Sequence, residues 1–171
     1  MSNGYDFDRP TLMELYVRMQ FPERTQWESA ILRDFLVAHI SEYDNYSFSV
    51  RVGDGLTPDP THLPGVQRNT TFSTRKRIDM IAWQGTQPFI FEVKRRVNPG
   101  ALGQLVTYRH LWMEEHPDAR EPIIAAIGRT SDPDTERVFA AAGVQIYLYD
   151  APAGNGRDAV SGAASPEPET D

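Results

Sequence analysis

The 171 residues suit one domain with room for a real core, and a composition of 40% hydrophobic and 24% charged residues is that of a globular protein. No run of about 18 apolar residues occurs, so no membrane span is expected, and zero cysteines exclude a disulfide framework, a zinc knuckle or an iron–sulfur cluster. The net charge of −7 disfavours a polyanion, yet five acids and one base between 150 and 171 carry most of it, and local field matters more than the total.

Residues 1–24 read as a lead-in: 1–10 irregular, then a short helix from Thr11 to Gln20 stopped by Phe21-Pro22. The first residues lack the basic-then-apolar layout of a signal peptide, which with the missing cysteines fits a cytoplasmic location, or a virion if the gene is a phage's. From Thr25 to about Tyr43, Trp27, Ile31, Phe35, Ala38 and Ile40 recur at helical spacing, and Thr25 with Glu28 three residues on forms a capping box. Tyr46–Val52 alternates as a strand. Residues 54–74, full of Gly, Pro, Asp, Asn and Thr, read as a long loop. Strands Arg75–Trp83 and Pro88–Arg96 follow, joined by Gly85-Thr86 in a type II′ pattern. Asn98-Pro99-Gly100 opens a helix from Ala101 to about Glu115, Pro122–Gly128 is an apolar strand, and Asp132–Ala142 is a helix that Gly143 stops. Val144–Tyr149 closes the domain, which spans 25–150. Residues 151–171 form an acidic tail too poor in apolar residues to fold. Meander strands followed by strand–helix alternation imply an α/β fold with a mixed sheet flanked by helices.

The chemistry sits on the hairpin. A two-residue turn at Gly85-Thr86 sets Asp79 opposite Glu92 and Arg77 opposite Lys94, with facing Cβ atoms roughly 4.5–5.5 Å apart. Lys94, two residues beyond Glu92, projects to the same face. Ile78, Met80 and Ala82 are expected on the other face with Phe89, Phe91 and Val93, leaving Ile81, Trp83 and Ile90 beside the acids. Apolar residues on both faces mark interior strands, where two adjacent carboxylates need a cation or a proton between them. Hard oxygen ligands with room for water suit Mg²⁺ or Mn²⁺. The competing reading is an ordinary set of ion pairs near a strand end, and a register change of one residue would part the acids.

Ile78-Asp79 followed by Glu92-Val93-Lys94, within a helix–three strands–helix–strand order, resembles the PD-(D/E)xK nuclease superfamily. Gln104 and Tyr108, four apart on one helix face, are similar to the Gln-x-x-x-Tyr motif of its RecB-like branch. The run from Glu92 through Pro99-Gly100-Ala101 to Tyr108, with Ala141-Ala142-Gly143-Val144, looks like the catalytic domain of NucS-type endonucleases. The resemblance covers about Trp27 to Asp150 and implies a restriction-endonuclease-like sheet, an α-β-β-β-α-β core with a further α-β. It further implies that Asp79, Glu92 and the Val93 carbonyl bind the metal, Lys94 acts on the attacking water, Gln104 orients water or phosphate, and Tyr108 packs near the nucleic-acid backbone. Glu28 matches the helical acid that often completes such sites, and equally fits a helix cap. Pro58-Asp59 spells the motif but lies in the loop, away from a hairpin partner.

Arg75, Lys76, Arg77, Arg95, Arg96 and Arg109 are candidate phosphate contacts, each cluster having a solvated face as its plainer reading. The four histidines show no metal-ligand spacing, though His110 is a possible phosphate contact, and Trp27 and Trp112 read as packing. The expectation is a Mg²⁺-dependent deoxyribonuclease, an endonuclease acting in DNA repair, in a phage or in defence, as a homodimer or within a larger complex. The alternative is a catalytically silent subunit of the same fold that binds or assembles, in a phage particle or a repair complex.

Overall fold

The computed structural model describes residues 4–9, 11–12 and 21–149. The expected helix beyond residue 12 and the tail from 151 lie outside the described residues.

Six strands of the described residues form one sheet in chain order: β1 (Tyr5–Asp8), β2 (Asn45–Val52), β3 (Lys76–Gln84), β4 (Gln87–Arg96), β5 (Ile123–Thr130) and β6 (Gln145–Leu148). The first four run antiparallel to their neighbours, and β4, β5 and β6 are parallel. The parallel pairs are bridged by α3 (Pro99–Glu115) and α4 (Pro133–Ala141); α1 (Gln26–His39) precedes β2, and α2 (Pro64–Thr74) joins β2 to β3. This is the mixed, helix-flanked α/β sheet that the sequence pattern implies.

Two cores face each other across the sheet. Ile31, Leu32, Phe35 and Leu36 of α1 meet Tyr46, Phe48, Met80, Phe91 and Val93 on one side. The other side carries Ala101, Leu105, Tyr108 and Trp112 of α3 and Phe139 of α4 over Ile81, Ile90, Ile124 and Ala126. Each fully buried aliphatic or aromatic side chain of this kind contributes about 1.5–3 kcal/mol. The α1 helix starts where the sequence says: Thr25 accepts from the Glu28 N–H (3.3 Å), and Glu28 Oε2 accepts from the Thr25 N–H (2.8 Å). The Phe35 and Phe91 rings, 5.0 Å apart, seat that helix behind β4. Asn98 and Asp132 cap α3 and α4, each with proline at the first position.

Three expectations change. Residues 5–8 are not irregular; they pair with β2 as an edge strand, and Leu12 and Phe21 enter the α1-side core, so the packed body begins before residue 25. The stretch 54–74 is not all loop, because 64–74 is helix α2, although none of its residues is buried. Trp27 is 42% exposed rather than packed.

Candidate active site at the parted hairpin

The hairpin has the expected register. Gly85 takes a positive φ of 58° while Thr86 does not, as a type II′ turn requires, and the pairs run from Gln84↔Gln87 to Met80↔Phe91. There the ladder stops, one pair short of Asp79 and Glu92. Instead of a backbone partner, the Val93 N–H finds the Asp79 side chain, donating to Oδ2 at 2.8 Å. On its other side β4 stays zipped to β5, with Glu92↔Ala126 and Lys94↔Gly128 in register. Gly128 permits that approach, since a Cβ there would lie 2.9 Å from the Lys94 carbonyl oxygen and 2.7 Å from Val97. Glu92 and Lys94 thus stand on a strand held from one side while β3 parts from it on the other.

The parting begins in β2. Ser49 has φ 57°, a left-handed conformation rare for a non-glycine residue. Tyr46 and Phe48 before it belong to the α1-side core, and Val50 and Val52 after it to the α3-side core. β3 changes face at the same level: Met80 joins the first core and Ile78 the second. Ile78 was expected beside Met80 and is not there, because strict alternation does not survive the twist at Ser49 and Asp79.

Both acids are buried, Asp79 at 5% and Glu92 at 2% exposure. Lys94 Nζ donates to Glu92 Oε1 at 2.5 Å, while Glu92 Oε2 is buried without a hydrogen-bond partner. Burial first, and then the negative charge of Asp79, pushes the Glu92 carboxyl up to about 7 despite Lys94. Gln104 Nε2 donates to the Tyr108 hydroxyl at 3.1 Å, as the four-residue spacing anticipates. Tyr108 is 4% exposed; burial and the charges of Glu92 and Asp79 raise its pKa, so it stays a protonated phenol. It lies beneath the acids rather than at an open surface. One functional group was missed entirely: Arg24 donates from Nη1 to Asp79 Oδ1 (2.5 Å) and from Nη2 to the Asp79 carbonyl oxygen (2.7 Å).

The remaining candidates scatter. The Glu28 carboxylate is turned back to Thr25, its backbone N–H and its hydroxyl. Replacing Thr25 with alanine is expected to lower stability by about 1 kcal/mol, whereas Glu28→Gln keeps an acceptor but loses the charge that Thr25, Arg24 and Arg77 favour, and is expected to lower the melting temperature by less. Calorimetry on the two variants checks the order: a larger loss in Glu28→Gln than in Thr25→Ala would mean that the carboxylate does more than cap the helix. Arg75 is tied to the Gly53 carbonyl (2.5 Å) and to Glu115 (2.7 Å), bracing the foot of the 54–74 excursion. Arg77 pairs with Glu23, Arg96 with Asp132 and Arg109 with Glu121, at 3.4–3.6 Å. Lys76 and Arg95 are exposed and make no ion pair among the described residues.

A divalent cation fits this chemistry. Glu92 Oε2 is a buried oxygen that no donor meets in hydrogen-bond geometry, although the Tyr108 hydroxyl lies near the carboxylate, and the like-charged Asp79 stands beside it. Among the described residues no cluster of three His, Cys, Asp or Glu gathers, so the protein would supply two carboxylates and leave most of the ion's shell to other oxygen ligands such as water.

The structure is thus a mixed α/β sheet that parts beside two buried acids and a lysine, and several solved structures are similar to this chain at low identity. "Structure of EndoMS-dsDNA2 complex" aligns at 13% identity and TM-score 0.41, over 72% of this chain and 44% of that one. A repair endonuclease from Pyrococcus abyssi aligns at 16% and 0.42, over 78% and 50%. A protein of unknown function aligns at 12% and 0.40, over 76% and 61%. The chain therefore spans about half the length of the structures it matches. No family model matches the sequence, and neither does any curated protein. No helix among the described residues is long and apolar enough to cross a membrane.

Proposed function

We propose that this chain is a metal-dependent deoxyribonuclease whose site is Asp79, Glu92 and Lys94. The observation that carries the reading is the unmatched Oε2 of Glu92, buried beside Asp79 with the Lys94 ammonium on its other oxygen. Asp79, Glu92 and the Val93 carbonyl would hold Mg²⁺ or Mn²⁺. Such an ion, when bound, polarises a phosphate and lowers the pKa of water.

The chain's own residues do the rest. Lys94, about a quarter exposed, offers its ammonium to the attacking water and to the charge that develops on phosphorus. Tyr108, kept protonated, and Gln104 orient groups around Glu92. Lys76 opens β3 and Arg95 is the last but one residue of the antiparallel β4, so both exposed cations lie at one end of the sheet, where they would receive a DNA backbone.

A cleavage panel over duplex, single-stranded, branched and mismatched DNA and over RNA, with Mg²⁺ and with Mn²⁺, tests this. Lys94→Met is expected to slow cleavage about 10²–10³-fold while the protein stays folded. A second reading, a silent binding or assembly subunit, is favoured by one feature: Arg24 and Lys94 already neutralise the two acids. No cleavage of any substrate, joined to no change in melting temperature with either ion, decides for that reading.

A further inference from the structure

Arg24 reaches the site from the segment before α1, and the backbone is strained to bring it there. Its side chain has no exposed surface. Besides the two bonds to Asp79, Nη2 lies 3.4 Å from Ser49 Oγ, which itself donates to the Pro22 carbonyl at 3.2 Å. Among the described residues two non-glycine residues have positive φ, Glu23 at 53° and Ser49 at 57°. One precedes Arg24 in the chain and the other receives it. Such conformations cost on the order of 1–3 kcal/mol each and persist where the surroundings over-determine them.

The arrangement bears on how much cation such a site could take. Of the four carboxylate oxygens, Asp79 Oδ1 is taken by the Arg24 guanidinium and Glu92 Oε1 by the Lys94 ammonium, so a first ion would find Glu92 Oε2 open and share Asp79 Oδ2 with the single Val93 N–H. Among the directly bonded groups, and with Glu92 ionised, the two acids and the two bases balance before any ion enters. One divalent cation with one phosphodiester leaves a single surplus positive charge, whereas a second ion would leave three among nearly inaccessible groups, which burial penalises heavily.

We propose that Arg24 is a positioning residue that fixes Asp79 and restricts the centre to one divalent cation, by occupying the carboxylate oxygen that a second would need. This rests on the metal-dependent reading of the same site. The test counts Mn²⁺ bound to the full chain by electron paramagnetic resonance, without nucleic acid, taking Glu92→Gln as the background. The wild type is expected to saturate at one ion per chain, Arg24→Lys to stay at one, and Arg24→Gln to take two. Two ions in the wild type would overturn the role of Arg24 and leave the metal site standing. No ion above the Glu92→Gln background would overturn both. A folded Arg24→Gln that binds one ion with unchanged affinity would also overturn it. Should that variant fail to fold, Arg24→Met replaces it in the same count, two ions supporting the role of Arg24 and one ion with unchanged affinity overturning it.

Discussion

Glu92→Gln is expected to abolish metal-dependent cleavage and, without divalent ions, to make the protein more stable at pH 8. A carboxyl whose folded pKa is about 7, against an ordinary value near 4.3, holds its proton more tightly in the native state. Its contribution to stability is therefore full below about pH 4.3 and is lost as pH rises through 7. Above pH 7 the ionised carboxylate costs on the order of 3 kcal/mol, and the amide of the variant avoids that cost. Lys94 loses its partner but is about a quarter exposed and can turn to water, so part of the gain survives. A net 1–2 kcal/mol corresponds to a melting-temperature rise of about 2–8 °C for a chain of this size. Calorimetry across pH checks the sign: the two proteins should converge near pH 4 and separate toward pH 8. With saturating Mn²⁺ the order should reverse, since the wild type alone gains binding energy. A Glu92→Gln protein less stable than wild type at pH 8 would show that the carboxylate is not under strain.

The sequence made the hairpin legible because its signals are local. Gly85-Thr86 fixes the turn, the turn fixes the register, and the register brings Asp79 level with Glu92 where the ladder opens, with Lys94 two residues on. Gln104 and Tyr108 were equally plain, since one helical turn separates them. What stayed hidden depends on long-range contact. Arg24 lies 55 positions from Asp79, in a stretch with no periodicity, and neither Glu23 nor Ser49 advertises a left-handed backbone. The end of the Asp79–Glu92 ladder was hidden for the same reason, because it follows from the twist at Ser49. Helix α2 was obscured by composition: Asn69, Thr70, Thr71, Ser73 and Thr74 are poor helix formers, though Pro64 at its first position was a usable sign. β1 is four residues with two acids, a pattern that reads as loop but also suits a short edge strand guarded against further pairing.

Replacing Arg24 with leucine should be among the most damaging substitutions in the chain, and the damage should depend on Asp79. The guanidinium is wholly buried and Asp79 is 7% exposed at the side chain, so the variant strands an anion that water cannot reach. Breaking a buried pair from one side typically costs about 3–5 kcal/mol, here a fall of roughly 6–20 °C in melting temperature. If the uncompensated charge is the cause, adding Asp79→Asn should return a large part of the loss. It does so although Asp79→Asn is itself unfavourable, because in the wild type it weakens the acceptors of the Arg24 and Val93 N–H groups. A double-mutant cycle by denaturant unfolding measures the difference, with an expected coupling of about 2–3 kcal/mol, near the upper end for residues in direct contact. Additive losses would mean that Arg24 supports the fold through packing at Ser49 and Pro22, and that its charge has no special relation to the acid it touches.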